Sequence, residues 1–112
     1  MKVEYDAIVE PPNLGFRIYP TQELAPEQVE RLDRVTLAWY EVGAYGGFGG
    51  RFHFGSEMEW DDDERAFVFW VDMGTAGEPA TEALVRILGT FAENEGIEFE
   101  KLVIGFPATA SA

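Results

Sequence analysis

The run Ala66-Phe67-Val68-Phe69-Trp70-Val71 constrains this chain more than any other stretch. Five of its six residues are aromatic or β-branched, and no polar residue interrupts them. That pattern suits a central strand, with neighbours on both edges. Just upstream, Phe52, Phe54, Met58 and Trp60 alternate against Arg51, His53, Gly55, Glu57 and Glu59, with Ser56 among the apolar positions. The polar stretch Asp61-Asp62-Asp63-Glu64 lies between the two runs and predicts a hairpin turn. With that turn, Trp60 opposes Arg65, Met58 opposes Phe67, Phe54 opposes Val71 and Phe52 opposes Met73. The other face then pairs Glu57 with Val68, Gly55 with Trp70 and His53 with Asp72. In that register Trp70 covers the strand glycine.

The flanking segments supply the neighbours. Val3, Tyr5, Ala7 and Val9 alternate with charged residues. Pro11-Pro12-Asn13 reads as a turn, and Leu14, Phe16 and Ile18 form a second strand, so a first hairpin is expected. Pro26 opens a helix with Glu27 and Glu30 near its positive end. Its apolar stripe is Val29, Leu32, Val35, Trp39 and Val42, and Gly43 ends it. Pro79 opens a second helix with Leu84, Ile87, Leu88 and Phe91 inward, closed by Gly96. Residues 99–106 are a last strand. The order ββαββαβ predicts an α+β fold, a two-layer sandwich with two helices on one face of a five-stranded, mostly antiparallel or mixed sheet. Residues 1–106 form the single domain, and 107–112 a flexible tail.

Composition narrows the chemistry. The chain has no cysteine and one histidine, His53, which removes disulfides, thiolate nucleophiles and multi-histidine metal sites. No cofactor is expected. Eight basic residues stand against 21 acidic ones, a net charge of −13, so direct nucleic-acid binding is not expected and a basic protein is the natural partner. The charge is uneven: residues 57–112 hold 13 acids and three bases, against eight acids and five bases in residues 1–56. Met1 to Asp6 is charged and strand-like, and no apolar run is long enough to span a bilayer, so no membrane contact and a cytoplasmic location are expected.

Three constellations are candidate sites. The first is His53 beside Asp72 with Trp70, either a cross-strand surface pair or, with Glu57, a small acid–base site. The second is the loop from Gly43 to Gly50, anchored by Tyr45 and Phe48. It runs from a helix into a strand and has no lysine, unlike a phosphate loop. The third is acidic: Glu57, Glu59, Asp61, Asp62, Asp63 and Glu64 around Trp60, with Glu93, Glu95, Glu98 and Glu100 elsewhere. The aspartates depart from calcium-loop spacing, so no metal is expected. Glu93 and Glu95 lie in the last turn of a helix, where the dipole favours cations, and this argues for a surface that faces a partner.

Leu14-Gly15-Phe16-Arg17-Ile18, Ala25-Pro26-Glu27-Gln28-Val29 and Phe52-His53-Phe54-Gly55 resemble segments of the YggL-like family of 50S-ribosome-binding proteins. That resemblance implies a similar element order and ribosome association, and no catalytic residue. From the residues themselves, the leading expectation is a non-enzymatic acidic module binding a basic protein (a toxin, nuclease or ribosomal component), as an immunity or antitoxin-type inhibitor. A nucleic-acid mimic that blocks a DNA-binding enzyme, a ribosome-associated factor, and a small acid–base enzyme using His53 and Asp72 are the alternatives. A homodimer stays open.

Overall fold

The structure, a computed structural model, describes residues 1–6 and 13–105. Strand β1 (Lys2–Tyr5) is followed by β2 (Asn13–Pro20), α1 (Pro26–Ala44), β3 (Phe54–Gly55), β4 (Glu59–Asp61), β5 (Ala66–Asp72), α2 (Glu78–Glu95) and β6 (Phe99–Gly105). The sheet order is β1-β6-β2-β5-β3, with β4 also on β5. The fold is therefore α+β, with two helices and a mixed sheet. The apolar run is its interior strand: β5 has β2 on one edge and β3 and β4 on the other. Six strand segments occupy five positions, because β3 and β4 share one edge of β5.

Two strand expectations are corrected. β1 does not form a hairpin with β2; β6 lies between them, parallel to β1 and antiparallel to β2. Alternation shows that a segment is a strand but not which strand it pairs with, and the β6 partner of each β1 residue lies 99 positions away in the sequence. The expected residues Ala7, Val9, Pro11, Pro12 and Phe106, and the tail 107–112, lie outside the described residues.

The second correction concerns the hairpin register. Asp61 pairs with Ala66, Trp60 with Phe67 and Glu59 with Val68, so the turn is 62–65 and not 61–64. Asp61 shapes it: its Oδ1 accepts the N–H groups of Asp63 and Glu64 at 3.0 and 3.1 Å. Arg65 completes the turn in the left-handed region, at φ 57°. Further along, Gly55 pairs with Val71 and Phe54 with Asp72. From Gly55 to Glu59 is four steps, while from Val71 to Val68 is three, so the edge strand carries one extra residue, a bulge. Ser56 stabilises the departure: its N–H donates to the Trp70 carbonyl, and its hydroxyl accepts the Trp70 N–H, both at 2.9 Å. The bulge turns Phe54 to the outer face, 54% exposed, where its ring meets Trp70 edge-on at 5.4 Å. Trp70 therefore packs on Phe54, and a Cβ at the exposed Gly55 would instead meet the Tyr40 ring of α1 at 3.0 Å.

One sheet face carries Leu14, Phe16, Ile18, Phe67, Phe69 and Val71, all buried. Trp39 links this face to both helices. Its ring meets Phe16 and Phe69, and its Nε1–H donates to the Ala80 carbonyl of α2 at 2.8 Å. In α1 the fully buried stripe is Leu32, Thr36, Trp39 and Gly43. Val42 is 47% exposed, contrary to the expected stripe, because at 100° per residue it falls well off that face. Gly43 is inward for a packing reason: a Cβ there would lie 2.1 Å from the Phe52 ring. Gly96 ends α2 in the left-handed conformation, at φ 66°. No helix among the described residues is long and apolar enough to cross a membrane.

Candidate acidic surface around Trp60

The twelve residues expected to form a site divide between opposite ends of the sheet. Glu57, Glu59, Trp60, Asp61, Asp62, Asp63, Glu64 and Trp70 gather on the edge hairpin. His53, Asp72, Tyr45 and Phe48 lie toward the other end of β5, which is about 20 Å from Ala66 to Asp72 at the strand rise per residue, although Trp70 stands only two residues before Asp72 on the same face.

At that far end the His53–Asp72 pairing forms, with Nδ1 to Oδ2 at 3.5 Å. The His53 N–H also donates to the Asp72 carbonyl at 2.9 Å. Asp72 is held by a second contact, since its Oδ1 accepts the Gly74 N–H at 2.9 Å. The His53 side chain is 61% exposed, and it borders none of the clefts described below. In the glycine loop the two aromatic residues have separate fates. Phe48 is half-buried against Trp39 and Phe52, while Tyr45 is 86% exposed. Backbone hydrogen bonds wind the loop back on α1, among them Gly47 N–H to the Val42 carbonyl at 2.8 Å and Phe52 N–H to the Gly43 carbonyl at 3.0 Å.

On the edge hairpin, Trp60 is 41% exposed and forms a wall of three adjoining clefts. The first, of 530 Å³, lies between α1 and the bulged edge strand, and carries Glu30, Asp33 and Glu57. The second, of 560 Å³, lies on the outer side with Trp70 and carries Glu57, Glu59, Asp61 and Asp62. The third, of 540 Å³, adjoins the β2–α1 loop and carries Glu23, Asp62 and Arg65. Together they hold seven different carboxylates and one cation. That cation is engaged locally: Arg65 pairs with Asp62 at 3.0 Å and its guanidinium lies 5.3 Å from the Trp60 ring centre.

The second acidic segment reaches the same end of the molecule. Glu64, in the hairpin turn, accepts the Tyr19 hydroxyl at 3.0 Å at the end of β2. Burial, and then this bond, raise the Tyr19 phenol above its ordinary pKa. Two residues on, Thr21 N–H donates to the Glu98 carbonyl at 3.1 Å. Glu95 has a structural explanation that its place in the helix did not reveal. Arg31 of α1 grips its carboxylate through two hydrogen bonds of 2.7 and 2.6 Å, and those bonds hold it below the ordinary glutamate range. The inference of a partner from helix position therefore fails for Glu95. Glu93 is exposed and has no ion-pair partner among the described residues. The aspartate run is occupied with its own turn, and no group of three or more metal-binding side chains converges among the described residues.

Glu30, Asp33, Leu37 and Tyr40, which line the first cleft, were not among the expected site residues. Their signal was in the sequence: steps of three, four and three residues place them on one flank of α1, beside its buried stripe. Opposite charge gathers elsewhere, since Arg31, Arg34 and Arg86 border the groove between the two helices. Comparison with protein-family models, with curated proteins and with solved structures finds no match to this chain.

Proposed function

We propose that this protein is a non-enzymatic binding module whose acidic edge, centred on Trp60, engages a basic partner protein, as an immunity- or antitoxin-type inhibitor would. The observation that carries the reading is an exposed tryptophan amid seven carboxylates and one cation. Tryptophan is a frequent energetic centre of protein interfaces, because one side chain buries a large apolar area with little loss of freedom. Carboxylates around it attract a basic surface at long range, reject acidic ones and fix orientation on contact. The acid–base alternative has His53 and Asp72 to draw on, and neither side chain lines any of the three clefts around Trp60.

The test is affinity capture with the wild-type chain and with a variant in which Glu23, Glu57, Glu59, Asp62 and Asp63 are changed to lysine, leaving Asp61 to hold the turn. The wild type should retain a basic protein at low salt and lose it as salt rises, and the variant should retain none while melting as cooperatively. Binding that survives the reversal sinks the proposal. Recovery of 50S subunits would point to the ribosome, in line with the YggL-like resemblance. A partner displaced by duplex DNA would point to nucleic-acid mimicry.

A further inference from the structure

Resting on that reading of the acidic edge, we propose that the cleft between α1 and the bulged edge strand is the socket into which the basic partner inserts a lysine or arginine side chain. The bulge opens this cleft. At Ser56 a side-chain hydroxyl takes the place of a ladder carbonyl, and β4 rejoins the ladder at Glu59, one residue out of step with β3. The floor between is apolar, made by Phe67 and Phe69 of β5, with Tyr40 and Leu37 on the helix side and Trp60 on the strand side. Leu37 is 54% exposed there.

The rim selects the sign of the occupant. Asp33 and Glu57 face the cleft with no ion-pair partner among the described residues, Glu30 is held by Arg34 at 2.6 Å, and no cation lines the cleft. An apolar floor beneath free carboxylates fits a side chain with an alkyl stem and a cationic head, which buries the stem and leaves the head at the rim. Aromatic walls favour that head further, and the Trp60 indole already has the Arg65 guanidinium over its ring. A second copy of this chain is a poor occupant, since it brings a charge of −13 to the same rim. The volume of 530 Å³ lies within the range of about 300–1,000 Å³ typical of ligand sites, so a short stretch of the partner's backbone enters with the side chain.

The test titrates the full chain with an amidated tetra-arginine peptide at low salt, read by NMR at the Leu37 and Met58 methyl groups and the Trp60 indole N–H. Saturable shifts centred on these three residues are expected. Asp33→Asn with Glu57→Gln should weaken the peptide about ten-fold, as expected from two surface charge contacts. Glu59→Gln with Asp62→Asn, the same loss of charge on the outer side of Trp60, should weaken it less. Undisturbed Leu84 and Leu88 methyl signals certify that each variant is folded. Equal losses from the two pairs, or shifts that never saturate and spread over the hairpin turn, overturn the socket. If the socket fails while partner capture is still abolished by charge reversal, only this inference falls. Capture that survives the reversal instead removes the acidic-edge reading beneath it.

Discussion

Single residues here serve the fold through what they exclude as much as through what they touch. Trp39 is 1% exposed, yet its one polar atom finds the Ala80 carbonyl, so a large side chain is buried without an unsatisfied donor. Glu95 makes a comparable point on the surface. A carboxylate at a helix C-terminus opposes the dipole, and the two-point grip of Arg31 offsets that cost. The sign of its pH dependence follows. The folded carboxyl is held below its ordinary value, first by the Arg31 hydrogen bonds, so its contribution is present above the unfolded pKa and fades as pH falls through the folded one. NMR titration of the side-chain carboxyl should therefore place the Glu95 midpoint below the ordinary glutamate range. Arg31→Met should raise it, and a midpoint indifferent to that change would mean the grip is absent in solution.

At the scale of elements, the edge strand shows where sequence pattern stops. Ser56→Ala removes the acceptor of the Trp70 N–H and should destabilise the domain by about 0.5–1.5 kcal/mol in urea unfolding, the net value of one such bond. The Trp70 amide should also exchange faster, and unchanged exchange would show the bulge to be held by something else. Both helices, the interior strand and the hairpin were legible, because each rests on a period local to its own residues. The bulge was not, since a strand that gains one residue still alternates on either side of it. That single step put Phe54 on the outer face and left Trp70 packed on it. The partner of β1 was illegible for another reason: pairing with β6 is decided by the whole sheet, while Lys2-Val3-Glu4-Tyr5 suits any edge. The site was half legible. Its carboxylates and Trp60 stood out in the hairpin, and Glu30 and Asp33 had the right helical spacing. That α1 and the edge strand face each other across one cleft is a fact of tertiary packing alone.

The described residues span 34 × 29 × 22 Å. At 10 mM salt the screening length is about 30 Å, so nearly every carboxylate feels every other; at 150 mM it is about 8 Å and only neighbours interact. With a net charge of −13 the long-range sum is repulsive and opposes compaction. The short-range pairs, Arg31 with Glu95 and Arg65 with Asp62, survive screening better because their partners are in contact. Added salt should therefore stabilise the fold while it weakens attachment to a basic partner, two opposite responses from the same carboxylates. In calorimetry the melting temperature should rise between 10 and 150 mM sodium chloride, by about 4 °C for each 1 kcal/mol of repulsion relieved in a domain of this size. The five-lysine variant of the acidic edge shifts the net charge by ten units, from −13 to −3, and should lose most of that salt response. If the variant instead responds to salt as strongly as the wild type, the repulsion originates away from the Trp60 edge. Its carboxylates would then be locally balanced, and so poor at drawing in a basic partner from a distance.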